Sequence, residues 1–140
     1  VLVVDEAQAI NDQAIFEELR LLLNFQLNDR FLLTLILLGQ PELRSKVEAI
    51  KQLSQRVVIR YHLMPFNVDE VGDYIDFRMQ AAGASRVVFT PEAIAAAYES
   101  SGGIPRKVNT MADLALLIGF MERCRQIGPE VVRKAVEEAR

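Results

Sequence analysis

Val1-Leu2-Val3-Val4 opens the chain as an unbroken, β-branched apolar run, the pattern of a strand buried on both faces of a parallel sheet. The spacing then changes. From about Asp12 to Phe25, Ile15, Leu19, Leu22 and Leu23 recur on one helical face, with the acids and Arg20 elsewhere. Asn28-Asp29 breaks that helix. Phe31–Leu38 follows as a second apolar run, and its brackets, Asn-Asp before and Gly39-Gln40-Pro41 after, favour a strand. Pro41 suits the opening of a helix through about Leu53, and Val57–Tyr61 reads as a third strand. Strand and helix alternating in this way predict an α/β layer with parallel pairing over residues 1–65.

After Met64-Pro65-Phe66 the pattern becomes wholly helical, giving a second part over residues 66–140. Asn67 and Glu70 have capping-box spacing, and Val68, Val71, Ile75, Met79 and Ala82 form an apolar stripe ending at Gly83. Phe89-Thr90-Pro91 predicts another helix start, with Thr90 as cap, Pro91 at the first helical position and Phe89 stapled onto Ile94. A third helix starts near Pro105 with Val108, Met111, Ala115 and Ile118 in register. A fourth starts at Pro129, with Val132, Ala135, Val136 and Ala139 inward.

With 140 residues, 51% of them apolar, the chain can fill one ordinary core or two small lobes. Its formal charge of −3 argues against a nucleic-acid footprint spread over the whole surface. The single cysteine, Cys124, has no internal disulfide partner and reads as a buried or half-buried structural thiol, consistent with a reducing compartment. Phe31–Leu38 is about half the length a membrane-crossing helix needs. No charged leader with a cleavage site opens the chain. A buried-strand pattern at the first residue, with no initiator methionine, predicts a fragment.

Chemistry concentrates where strands end. Asp5 and Glu6 follow the first strand, and acids at the carboxyl end of a parallel strand sit where open α/β sheets bind ligands. Phosphoryl transfer needs a carboxylate supporting magnesium and a polar group orienting water; Asp5 and Glu6 suit these roles in turn. The hexapeptide by itself suits a solvated strand end equally well. Gln40, at the tip of the second apolar run, has the reach to sense phosphate, although Gly39-Gln40-Pro41 is also a plain turn sequence. Gly102-Gly103-Ile104-Pro105-Arg106 puts Arg106 in the first turn of a helix, at its positive end, where a guanidinium suits a phosphate; Lys107 is left to solvent. Arg56 follows Gln52-Leu53-Ser54-Gln55 at the edge of the first part and could act on a neighbouring subunit's nucleotide. Arg44 and Arg60 compete for that role, and a surface ion pair is the plain alternative for each. His62, the sole histidine, lacks metal-ligand partners at suitable spacing and reads as structural or solvent-facing.

These signals in this order resemble the AAA+ superfamily. Asp5-Glu6 looks like Walker B, Gln40 like sensor 1, Arg56 like an arginine finger and Arg106 like sensor 2. More closely, Val3-Val4-Asp5-Glu6-Ala7-Gln8, Leu37-Leu38-Gly39-Gln40-Pro41-Glu42-Leu43-Arg44, Gln55-Arg56 and Gly103-Ile104-Pro105-Arg106-Lys107-Val108-Asn109 resemble the general secretion pathway protein A type. The resemblance implies a partial P-loop NTPase sheet followed by a small all-α lid, with ATP and Mg2+ as cofactors. It also implies hydrolysis by an oligomer or ring serving secretion or assembly proteins, in the bacterial cytoplasm or at the cytoplasmic face of the inner membrane. A G-x-x-x-x-G-K-[ST] loop does not occur in the 140 residues. The expectation is therefore that two strands and the phosphate loop lie elsewhere, one of those strands between strands retained here, and that this chain alone is inactive. The alternative is a non-catalytic oligomerisation scaffold or a DNA-associated regulatory one.

Overall fold

The computed structural model describes residues 1–27 and 30–139. The chain divides into two compact units, Val1–His62 and Leu63–Arg140.

In the first unit, strand β1 (Leu2–Val4) pairs in parallel with β4 (Leu35–Leu37), Val3 standing opposite Ile36. Parallel pairing demands a crossover, and α1 (Gln13–Leu22) lies within it. The Asp12 carboxylate caps α1 by accepting the Ala14 N–H at 2.9 Å. The helix ends at Leu22 rather than near Phe25, with Leu23 already its C-cap; the Asn28-Asp29 break lies outside the described residues.

The side chain anchoring α1 is Phe16, 2% exposed, whereas Ile15 faces outward at 43%. On the expected face Leu19 packs against this core, but Ile15 gives way to Phe16, which joins the cluster of Ala7, Leu43, Val47 and Leu53. The run expected as one strand over Phe31–Leu38 is divided. Arg30–Phe31 (β3) pairs antiparallel with Gln26–Leu27 (β2), and only Leu35–Leu37 joins β1. The short β1 sets that limit: its ladder runs from Leu2 N–H on Thr34 O to Leu38 N–H on Val4 O.

Helix α2 (Glu42–Ala49) opens after Pro41, as its φ restriction favours, but stops short of Leu53. Ile50 leaves helical geometry at φ −99° and ψ 88°, burying its side chain, before α3 (Lys51–Ser54) resumes. The expected third strand does not form. Val58, Ile59 and Tyr61 are 94%, 81% and 85% exposed. A strand needs a ladder partner, and among the described residues the parallel sheet holds only β1 and β4.

The second unit is a four-helix assembly: α4 (Val68–Ala81), α5 (Pro91–Ser101), α6 (Pro105–Met121) and α7 (Pro129–Glu138). Its caps follow the sequence pattern. Asn67 Oδ1 accepts the Glu70 N–H at 2.9 Å while the Glu70 carboxylate accepts the Asn67 N–H at 2.8 Å. Thr90 caps α5 through the Ala93 N–H, with Pro91 in the first turn. The loops before α5 and α7 are pinned together, since Ile127 N–H donates to Val88 O and Thr90 N–H to Ile127 O. This fixes Phe89 in the core at 1% exposure, where Ile94 also packs. Val71, Ile75, Val108, Ala115, Val132 and Ala135 are buried as their spacing predicts. Val68 on α4, Ala82 just after it and Ala139 after α7 are exposed instead, while Val131 is buried. Cys124 is half-buried against this core and His62 is exposed. No helix among the described residues is long and apolar enough to cross a membrane.

Candidate functional site

Beyond Val4 the chain leaves β1 abruptly. Glu6 takes a left-handed conformation, φ 52° and ψ 33°, and a single 3-10 turn follows at Ala7–Ala9. A non-glycine residue there carries local strain. It is stabilised on both sides: Asp5 Oδ1 accepts the Glu6 N–H at 2.8 Å, and Ala7 N–H donates to Leu38 O at 2.9 Å. The turn puts both carboxylates at the strand tip, exposed, beside the end of β4.

Gln40 lies at that neighbouring tip, and Gln8 joins the two. Gln40 N–H donates to Gln8 Oε1 at 3.1 Å, while Gln8 Nε2 donates to Glu6 Oε2 at 2.5 Å. Gly39 makes room for this contact, since a Cβ at that position would stand 2.4 Å from Gln8 Oε1. From below, Lys46 on α2 donates to the carbonyls of Gln8 (2.5 Å) and Ile10 (2.9 Å) and to Asn11 Oδ1 (3.0 Å). Lys46 thereby neutralises the exposed carbonyls of a turn too short to satisfy them itself.

Sequence reasoning gave Gln8 and Lys46 no role of their own. Gln8 follows Glu6 at a spacing that puts two side chains on one side of a tight turn, a signal visible in retrospect. Lys46 carried none, because its partners are more than thirty residues away in sequence.

The other predicted residues have no hydrogen bond to this cluster among the described residues. Arg56, just after α3, is exposed and donates from Nη2 to Asn24 Oδ1 at 2.8 Å. Of its competitors, Arg44 pairs with Glu48 at 3.0 Å, and Arg60 donates to the carbonyl and hydroxyl of Ser54 at 3.1 and 3.0 Å. Arg106 belongs to the second unit, exposed in the first turn of α6, where it borders an open groove with Lys107, Arg133 and Glu137. The two glycines leading to it both have left-handed backbone, and Gly103 is also packed tightly. Gly102 ends α5 at φ 61°, and Gly103, at φ 71°, exchanges close contact with Phe66, whose N–H donates to Gly103 O at 2.9 Å.

A magnesium ion fits this arrangement only with help from a phosphate ligand. Among the described residues no group of three or more acids, histidines or cysteines converges on one point. One or two carboxylates beside open space is the donor set that supports magnesium together with nucleotide oxygens and water.

The family described as "AAA domain" matches residues 1–47. The chain is 40% identical over 129 residues to general secretion pathway protein A of Aeromonas hydrophila, covering 91% of this chain and 23% of that protein. Two solved variants of RuvB from Thermotoga maritima superpose on 98% of the chain with TM-scores of 0.69 and 0.71, at 20% and 19% identity. This chain spans 44% and 43% of those two RuvB chains, and at such low identity the likeness speaks for the fold. With the strand-tip acids, the parallel β1–β4 pair and the helical second unit all present, the chain belongs to the AAA+ ATPases of the general secretion pathway protein A type.

Proposed function

We propose that this chain supplies the Walker B, sensor and arginine positions of an oligomeric ATPase whose hydrolysis drives protein secretion or envelope-complex assembly. The observation carrying the proposal is that Asp5 and Glu6 follow β1 beside the end of its parallel partner β4, where Gln8 joins the Glu6 carboxylate to the Gln40 backbone N–H. Bound there, magnesium and ATP supply the electrophilic phosphoryl group. Asp5 supports the metal, through water. Glu6 takes up the proton of the attacking water, Gln40 and Arg106 contact phosphate, and Arg56 reaches a neighbouring subunit's nucleotide. Residues 1–65 are then the later part of the α/β core and 66–140 the lid.

The phosphate-binding loop, on this reading, belongs to the longer polypeptide, and the Val57–Tyr61 segment, exposed from Val58 onward, pairs with a strand supplied there. The 23% span of the Aeromonas relative supports such a length difference. The 140 residues alone are inactive, and magnesium-dependent turnover by the isolated chain would overturn that statement. The working location is the cytoplasm or the cytoplasmic face of the inner membrane, and the partners are further copies and secretion or assembly proteins.

The test is ATP hydrolysis by the full-length polypeptide. Glu6→Gln should lower kcat by about 100-fold or more with nucleotide binding kept, and Arg56→Ala by about 1,000-fold. Full-length protein that assembles yet never hydrolyses ATP would instead support a non-catalytic scaffold, with salt-sensitive DNA retention marking its DNA-associated form.

A further inference from the structure

We propose that Gln8 is a positioning residue for the Glu6 carboxylate and ties its orientation to the tip of β4. The inference rests on the reading of Glu6 as the water-activating acid. Gln8's amide cannot be turned round. Gln40 presents a backbone N–H, so the amide oxygen must face it, and only the NH2 group is left for Glu6. The contact is charge-assisted, since its acceptor is a carboxylate.

One carboxylate oxygen, Oε2, is taken by this bond; among the described residues none is made to the other. A carboxylate anchored through one oxygen and open at the second is the arrangement a general base needs, since a wandering side chain meets water in the right orientation only part of the time.

Gln8 is itself held firmly. Lys46 fixes its carbonyl, the 3-10 turn fixes its backbone, and Gly39 admits its amide where any larger residue would collide. Gln8 thus bonds the backbone beyond β4 with one end of its amide and Glu6 with the other. The Asp5 side chain bonds only the Glu6 N–H, and neither Asp5 nor Gln40 bonds the Glu6 carboxylate among the described residues, so Gln8 is the link from that carboxylate to the neighbouring strand.

The experiment is steady-state and single-turnover ATP hydrolysis by the full-length polypeptide with Gln8→Ala, Gln8→Glu, Glu6→Gln and the Gln8→Ala/Glu6→Gln pair. Gln8→Ala should lower kcat by about 10- to 100-fold and leave KM for ATP within about twofold. Gln8→Glu keeps an acceptor for the Gln40 N–H but sets a carboxylate against Glu6, so it should lose at least as much kcat while its thermal unfolding stays near wild type. Should Gln8→Ala fail to fold, Gln8→Glu decides. With Glu6→Gln already present, Gln8→Ala should cost less than about twofold more, because its effect runs through Glu6. Wild-type kcat in both Gln8 variants overturns the inference, as does a loss that persists in full beside Glu6→Gln or appears in KM. Full turnover by Glu6→Gln would overturn the reading of Glu6 itself and this inference with it.

Discussion

Gly102 and Gly103 stand side by side, both with positive φ, and the surroundings of each decide what a side chain there would do. Gly102 has open space where a Cβ would be, so Gly102→Ala meets only the left-handed backbone strain, about 1–2 kcal/mol. At Gly103 the same atom would lie 1.9 Å from the Phe66 carbonyl oxygen, and backbone cannot swing aside as a side chain can. Gly103→Ala should therefore destabilise the second unit by more than Gly102→Ala, and by over about 2 kcal/mol; paired urea titrations give the comparison. Equal losses would show that the Phe66 contact is not a constraint. Gly39 is the counterpart in the first unit. Gly39→Ala should push Gln8 off Gln40 and so reproduce the kcat loss of Gln8→Ala in the full-length protein.

At the level of elements, the helices of the second unit are set by their first turns. Removing the reciprocal cap of α4 with Asn67→Ala should lower stability by about 1 kcal/mol, read from the midpoint of chemical unfolding. The start of α5 adds a pH dependence. Glu92's own backbone N–H, and then the Thr90 side chain, hold its carboxyl below the ordinary value of 4.5. A carboxyl lowered on folding contributes stability that is present above its unfolded pKa and lost as pH falls through the folded one. Wild type should thus exceed Glu92→Gln in thermal stability at neutral pH, with the gap closing below about pH 4.5. A gap constant from pH 7 to 3 would refute this. The apolar segment after Arg56 shows the opposite case. Its residues have strand-forming side chains and no ladder, and β propensity is realised only against a neighbour.

For the whole molecule, the division at His62 and Leu63 separates two cores of different kinds. The second is a buried cluster that holds Phe89 and side chains of all four helices, with the Phe89 and Ile127 loops pinned together. Residues 63–140 expressed alone should remain helical by circular dichroism and unfold in one transition. In that piece Phe89→Ala should cost about 3–5 kcal/mol. A non-cooperative melt would show that this unit depends on the rest of the chain.

Much of this molecule was legible from local chemistry. The caps at Asn67 and Thr90, the prolines opening α5, α6 and α7, and the core stripe through Val71, Ile75, Val108 and Ala115 depend on neighbours within a few positions. So does the placing of Asp5, Glu6 and Gln40 at strand tips, since a parallel run ending in polar residues has its tips at a common edge. Where an outcome depended on a distant partner, the sequence alone was insufficient. Phe16 rather than Ile15 anchors α1 because of what lies across from it. Leu35–Leu37 alone joins the sheet because β1 is three residues long. Val58–Tyr61 stays exposed and outside the sheet because no strand stands beside it among the described residues. Gln8 acquired its place at the site only through Gln40 and Lys46, each more than thirty residues away. Local pattern determined which elements form and where their polar ends fall; the tertiary structure decided which side chains meet, because that depends on packing and pairing between segments distant in sequence.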